Sequence, residues 1–333
     1  MDVGQTSNPE FAARAEAYRR EIQVHCYRML GSLQDAEDLA QDTLVRAWQK
    51  RDALREQTSL RAWLYKIATN ACLDALARRP KRVLPNHYAS AADPHTPPAP
   101  PVLEPIWLEP LPDALYADAA VNPEARYSQR ESVSLAFLAA LHTLPARQRA
   151  VLLLRDVLDW SAQETAHLLH LTVPAVNSAL HRARVTLSKQ YHRASPDTLA
   201  LRADDPETRA LLDRYVRAWE TANIDELLAL LQEDATFLMP PSPSWLDGAV
   251  AMIAFAKNFI APEDAAGLWK LIETRANGEI AFAWYRRLNA SKTYRAFGLQ
   301  TLEMENGKMA RWIVFTNPAL WRFFELPQTI SVD

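Results

Sequence analysis

Residues 83–122, VLPNHYASAADPHTPPAPPVLEPIWLEPLPDALYADAAVN, hold nine of the chain's 22 prolines, five carboxylates and not one lysine or arginine. Proline fixes φ and removes a backbone donor, so neither a long helix nor a central strand can run through this stretch. The chain is thereby divided. The portions on either side, up to Arg82 and from Pro123 onward, must each bury their own apolar surface, with an extended linker between them. The linker is not uniformly polar: Ile106, Trp107, Leu108 and Leu111 stand among turn formers in IWLEPLPD (106–113). Leaving them in water forfeits their burial, so this part is expected to make an interdomain docking contact through Trp107, Leu108 and Pro110.

Charge follows the same division. Residues 1–82 carry 14 basic against 11 acidic side chains, residues 123–195 carry 9 against 5, and residues 196–333 carry 14 against 19. A uniformly basic nucleic-acid binder is excluded; basic modules joined by an acidic connector fit. At 333 residues and 49% hydrophobic content, two or three domains with ordinary cores are expected. No apolar run reaches transmembrane length, and MDVGQTSNPEFAARAEAYRR lacks a signal-type hydrophobic segment, so a cytoplasmic protein without membrane contact is expected. Cys26 and Cys72 show no metal-ligand spacing and read as buried free thiols; neither a metal nor a cofactor is expected.

Before the linker the pattern is helical. Phe11, Ala15, Tyr18, Ile22, His25, Cys26 and Met29 keep helical spacing up to Gly31. Ser32 caps a second helix, with a buried stripe of Ala36, Leu39, Ala40, Thr43, Ala47 and Trp48. After a polar break at 50–59, SLRAWLYKIATNACLDALARR forms a third, closed by Pro80. After the linker a helix over about 124–141 leads to Pro145 and ARQRAVLLLRDVLDW. Ser161 and Glu164 are a capping-box pair for Ala162–Leu169, and Thr172 caps the next helix after a three-residue break, which is helix-turn-helix spacing. From about 205 two helices (206–222, 224–232) precede a helical 248–260 and four alternating runs (267–276, 279–288, 292–304, 308–317), an α+β pattern with an antiparallel sheet.

Three surfaces carry chemistry. On the third helix Trp63, Lys66, Asn70 and Asp74 share a stripe, with Arg78 and Arg79 near its end. An aromatic face, an amide and cations are what holding single-stranded DNA requires, although a solvated face with a half-buried Trp has the same composition. On the second helix Glu37, Asp38, Gln41 and Asp42 form an acidic, amide-bearing face, either solvated or a protein-docking surface. On the helix beginning near Val173, Val176, Leu180, Ala183 and Leu187 form one dry stripe, while Asn177, Ser178, His181 and Arg182 occupy the opposite arc with Arg184 on its flank.

Taken in order, DAEDLAQDTLVRAWQK, LRAWLYKIATNACLDALARR and LPARQRAVLLLRDVLDWSAQETAHLL…TVPAVNSALHRAR resemble regions 2 and 4 of extracytoplasmic-function (ECF) sigma factors of bacterial RNA polymerase. The resemblance implies a multidomain protein with two all-α DNA-binding domains: region 2 over 8–82, the linker over 83–122, and a region 4 helix-turn-helix over 123–195. It implies core RNA polymerase and promoter DNA as partners, with contacts to the β′ clamp helices and the β subunit. Asp38, Gln41 and Asp42 fall where the family docks on the clamp helices. Trp63, Lys66, Asn70, Asp74, Arg78 and Arg79, with the preceding 50–59 loop, fall where it reads the melted −10 element. Asn177, Ser178, His181 and Arg182 fall on the −35 reader, with Arg184 and Lys189 placed for phosphates. Many family members have Arg where Ala179 stands, which implies an unusual −35 preference. A free-standing duplex-DNA regulator is the competing reading, and it leaves the helices of 10–82 unexplained.

The remaining residues, 203–330, resemble a SnoaL-like (nuclear-transport-factor-2-like) α+β cone. Trp219, Phe237, Trp245, Phe255, Trp269, Phe282, Trp284, Phe297 and Trp312 either line a cavity for a small ligand or fill a core. Asp247, Arg286 and Gln300 are the residues an enzyme reading would use as acid or base, and none has a partner in sequence. The extension is therefore read as a regulator in cis and not as a catalyst.

Overall fold

The computed structural model describes residues 8–54, 59–102, 104, 106–116, 132–190, 206–262, 265–288 and 292–331, and the chain divides into two compact units. The first combines residues up to Arg82 with Asp113–His192. It begins with α1 (Asn8–Glu16), α2 (Arg19–Leu30), α3 (Leu33–Gln49) and α4 (Leu60–Leu76). The Ser32 and Ser59 hydroxyls accept the Asp35 and Ala62 N–H groups, closing the first turns of α3 and α4. Helix α2 is the centre of this bundle, buried from Ile22 to Leu30 and stopped at Gly31 with φ +71°. Trp48, assigned by periodicity to the buried stripe of α3, is instead 43% exposed. It lies in the last turn, where the Arg51 guanidinium, 5.0 Å over the ring, covers it in place of a helix.

The same unit continues with α5 (Leu135–Thr143), α6 (Ala146–Leu152, widening into a π turn at Leu153–Val157), α7 (Ala162–Leu169) and α8 (Val173–Gln190). The beginning of the helix read over 124–141 and part of the 50–59 loop lie outside the described residues. Two arginines tie the two halves of the sequence together. Arg149, 2% exposed, donates to the Met29 carbonyl at the end of α2 and to the carbonyls of His142 and Leu144. Arg28 donates to the Ser132 hydroxyl over 2.7 Å. Tyr65 of α4 meets Trp160 edge to face, with ring centroids 5.5 Å apart.

The second unit combines Val83–Pro112 with the C-terminal part of the chain. It contains α9 (Pro206–Glu220), α10 (Ile224–Leu230) and α11 (Ala249–Phe255, continued as a π turn to Ile260). Its sheet is built from β1 (Leu231–Leu238), β2 (Trp245–Asp247), β3 (Trp269–Ala276), β4 (Glu279–Arg287), β5 (Thr293–Glu305) and β6 (Lys308–Phe315), in the order β2-β1-β6-β5-β4-β3. A short β7 (Thr329–Ser331) pairs with the start of β5. The four runs expected to form an antiparallel sheet, β3 to β6, do so, and β1 joins it parallel to β6. β1 leaves α10 without a hairpin, so no tight turn fixes its direction.

The proline-rich segment is part of this second unit as far as Pro112, while Asp113–Tyr116 belong to the first. Val83 and Trp107 form a parallel bridge, so the segment closes on itself. Ala92 donates to the Trp245 carbonyl at 2.8 Å, Val102 to the Pro241 carbonyl at 2.9 Å, and the Trp245 indole to the Ala89 carbonyl at 2.8 Å. Trp107, Leu108, Pro110 and Leu111 are buried. A segment short of donors thus satisfies the backbone groups it retains against strand ends and turns.

Candidate nucleic-acid interface

Helices α7 and α8 make the expected pair. Ser161 and Glu164 form both bonds of the capping box, and the Thr172 hydroxyl accepts the Ala175 N–H at 3.3 Å. His170 ends α7 in the left-handed region at φ +54°, the place a glycine commonly takes. Val176, Leu180 and Ala183 are buried, and Asn177, Ser178, His181 and Arg182 lie towards solvent on the other side of α8. Ala179 is 8% exposed and lies on the dry side of the helix. Arg184 is exposed but not free: its guanidinium grips the Asp156 carboxylate through two bonds of 2.9 and 2.7 Å.

On α4, Trp63, Lys66 and Asn70 are half-buried and Asp74 is exposed, as are Arg78 and Arg79 just beyond its end. Trp63 meets the Phe11 ring edge-on at 6.3 Å. Trp63, Lys66 and Arg61 form one wall of a cleft of about 900 Å³, with Trp160, Gln163 and His167 on the opposite side. Arg79, assigned to DNA from sequence, is paired with Asp35 at 2.5 Å, a carboxylate that also takes the buried Arg82 at 2.7 Å. Burial opposes ionisation of Asp35, yet the two guanidinium groups hold its carboxyl below the usual range. Sequence reasoning missed this triad because Asp35 lies more than 40 residues from both arginines and each member alone passes for a surface charge.

On α3, Asp38 and Gln41 are exposed. The half-buried Asp42 pairs with Arg46 one turn on at 2.7 Å, and Gln34 reaches Asp38 at 3.4 Å. The exposed side of α3 is acidic and carries two large apolar side chains, Val45 and Trp48.

In the second unit Trp219, Phe237, Phe255, Trp269, Phe282, Trp284 and Trp312 are buried against one another, with Trp219 and Trp284 centroids 4.6 Å apart, so these rings fill a core. Phe297 and Trp245 are the exceptions, exposed and half-buried respectively. Gln300 is fully buried, its Oε1 accepting from the Tyr215 hydroxyl and, at 2.9 Å, from the Trp284 indole. Asp247 is exposed on edge strand β2, and three strands separate it from β4, which carries Arg286. The three residues named for acid/base work do not converge. Among the described residues no cluster of three or more His, Cys, Asp or Glu is placed to hold a metal ion, and no helix is long and apolar enough to cross a membrane.

Residues 15–82 match the family model for Sigma-70 region 2, and residues 134–187 match that for Sigma-70 region 4. Residues 212–312 match the SnoaL-like domain. The chain is 42% identical over 324 residues to the ECF RNA polymerase sigma factor SigG of Mycobacterium tuberculosis, an alignment spanning 96% of this chain and 85% of that one. The chain belongs to the ECF sigma factors. It is also 29% identical to the ECF RNA polymerase sigma factor SigW of Bacillus subtilis over 180 residues, 54% of this chain and 88% of that protein. The crystal structure of the M. tuberculosis ECF sigma factor SigJ shares the fold, at a TM-score of 0.61 and 21% identity, covering 95% of this chain and 99% of that one. As a member of this family the chain is a transcription initiation factor that binds core RNA polymerase and promoter DNA, and its two sigma regions are joined to a SnoaL-like domain.

Proposed function

We propose that this sigma factor docks on the β′ clamp helices through Asp38, Gln41 and Asp42 and holds the melted −10 strand on the Trp63–Asp74 stripe of α4. In this reading α8 addresses the −35 element through Asn177, Ser178, His181 and Arg182, and the C-terminal domain controls the whole in cis by retaining the connector between the two regions. The domain limits taken are 8–82, 83–122, 123–195 and 203–330.

The observation that carries the regulatory part is the bridge between Val83 and Trp107. With those residues side by side, the path from Arg82 to Asp113 shortens to roughly six residues and one strand spacing, about 30 Å at most. Fully extended, the same stretch of about 31 steps would reach about 105 Å. The −10 and −35 elements are about 25 base pairs apart, roughly 85 Å along the duplex. The folded strap thus gives up about 75 Å of the reach available for engaging both elements, and its hydrogen bonds to the C-terminal unit must break before it can extend. Release of the strap is therefore the regulated step. The side chains of the cone supply no acid/base pair among the residues named for one, which favours control over catalysis.

Run-off transcription with bacterial core polymerase tests this. The chain ending near residue 195 should initiate several-fold more than the full chain, and Trp107→Ala should raise output only when the C-terminal domain is present. Equal output from full and shortened chains refutes strap control. Absence of any defined start with either chain refutes the promoter assignments.

A further inference from the structure

The strand pair β4–β5 carries a feature that neither transcription nor strap control uses. Arg286 and Arg295 are directly opposite one another across the antiparallel pair. Like charges in that position repel and destabilise a sheet, and an anion bound between them would relieve the repulsion. No carboxylate among the described residues pairs with either, and the neighbouring Arg287 has a buried Nε without a hydrogen-bond partner. Its guanidinium lies against Gly267, whose φ of +69° suits glycine and where a Cβ would stand 3.3 Å from Nη1.

Beside the arginines the ladder is interrupted. Trp284 pairs with Gly298 and Tyr285 with Ala296, which leaves Phe297 as the extra residue of a β-bulge. Bulges re-aim a side chain, and this one turns out a large aromatic ring that is 37% exposed. Gly298 follows it on β5, so close to β6 that a Cβ there would meet the Phe315 carbonyl at 3.0 Å. The ring is backed by Trp269, edge-on at 4.9 Å, and the Arg286 guanidinium sits 5.8 Å from the Trp269 centroid. Arg286, Arg287, Arg295, Phe297, Leu268 and Leu288 line a cleft of about 470 Å³, wide enough for a small ring compound.

We propose that this cleft binds a small aromatic anion, its carboxylate held by Arg286 and Arg295 and its ring laid on Phe297 and Leu288. Guanidinium forks match carboxylate oxygens in pairs, and an exposed ring beside them selects against purely inorganic anions. The two recognition elements are distinct, so the ligand needs both. This site stands whether or not the strap is the controlled element, because no strap residue lines it.

The test is titration calorimetry on the full chain with 1-naphthoate, 1-naphthylmethanol, acetate and inorganic phosphate as probes. One saturable site for 1-naphthoate is expected, with binding weaker by about tenfold or more for the neutral alcohol, for acetate and for phosphate. The double variant Arg286→Gln, Arg295→Gln should lose 1-naphthoate by the same factor or more. Its melting temperature should hold or rise, since the repulsion is relieved, and this shows that the variant is folded. Phe297→Leu should weaken the naphthoate and leave acetate unchanged. No saturable naphthoate binding in the millimolar range, equal affinity for the neutral alcohol, phosphate binding as tight as naphthoate, or unchanged affinity in the double variant would each overturn the proposal.

Discussion

Leu111 and Asn277 hold each other reciprocally: the Leu111 N–H donates to the Asn277 side-chain oxygen at 2.9 Å, and the Asn277 N–H donates to the Leu111 carbonyl at 2.8 Å. Both are buried, and Asn277 sits at φ +57°, where asparagine is among the few non-glycine residues that fit readily. Asn277→Ala removes an acceptor from a buried N–H and places alanine in the left-handed region. The expected cost is about 2–4 kcal/mol of local stability. Limited proteolysis should then cut the proline-rich strap sooner in the variant, while Asn277→Asp, which keeps the acceptor, should resist longer. Identical cleavage rates in wild type and Asn277→Ala would mean that this pair does not retain the strap.

Arg149 is a buried cation that serves carbonyls from two sequence-distant segments, Met29 on one side and His142 and Leu144 on the other. Burial pushes its own pKa down to about 10. Arg149→Met keeps much of the volume but leaves those carbonyls without a donor, so the first unit should lose about 2–4 kcal/mol. Arg149→Lys should also be destabilised, because one ammonium cannot reproduce a planar fork. Urea unfolding of the full chain reads both; a midpoint unchanged in Arg149→Met would show that water replaces the guanidinium at no cost.

These contacts mark the limit of what the sequence discloses. Helix boundaries were legible because caps are local: Ser32, Ser59 and Ser161 each act within three residues. The outward side of α8 was legible because helical period alone sorts Asn177 and Arg182 from Val176 and Ala183. Arg149 was not, since a lone arginine in ARQRAVLLLRDV reads as solvated and its decisive acceptor lies 120 residues earlier. The ion pair of Arg79 was hidden for the same reason, its partner Asp35 being on another helix. Phe297 stood among the aromatics read as lining a cavity or filling a core, because a bulge shifts a side chain by one register position and leaves no trace in composition. Gly298 was its one local sign.

Arg184 separates a structural from a recognition role. Its pair with Asp156 is largely exposed, and such pairs contribute about 0–1 kcal/mol, so Arg184→Ala should scarcely move the urea midpoint. If the side chain exchanges Asp156 for a DNA phosphate in the promoter complex, the same variant should weaken binding evenly across promoter sequences. The slope of log affinity against log salt should then fall by about one. Asn177→Ala should do the opposite, costing about 1–3 kcal/mol on one base pair and leaving the slope intact. An unchanged slope in Arg184→Ala would leave that residue with the Asp156 contact only.

The first unit carries two buried histidines whose titration gives its stability a sign. Burial, aided by the Arg28 charge, pushes His25 down to about 3, and burial beside Arg149 holds His142 well below its ordinary value. In the folded chain both stay neutral, with His25 Nε2 2.9 Å from the Thr69 hydroxyl. The unfolded chain takes up a proton at each below about pH 6.5, so the unfolded state binds more protons as the pH falls. Their contribution is complete above that value and is lost progressively as the pH falls below it, approaching 1.4 kcal/mol per pH unit for each residue. Urea midpoints should therefore fall between about pH 7.5 and 5.5, a window in which ordinary carboxylates do not titrate. His25→Gln, which cannot be protonated and keeps a polar group near Thr69, should flatten the fall even if it lowers the midpoint at the upper end of that window. A midpoint that rises as the pH falls through this window would show that one of the two rings is charged in the folded chain.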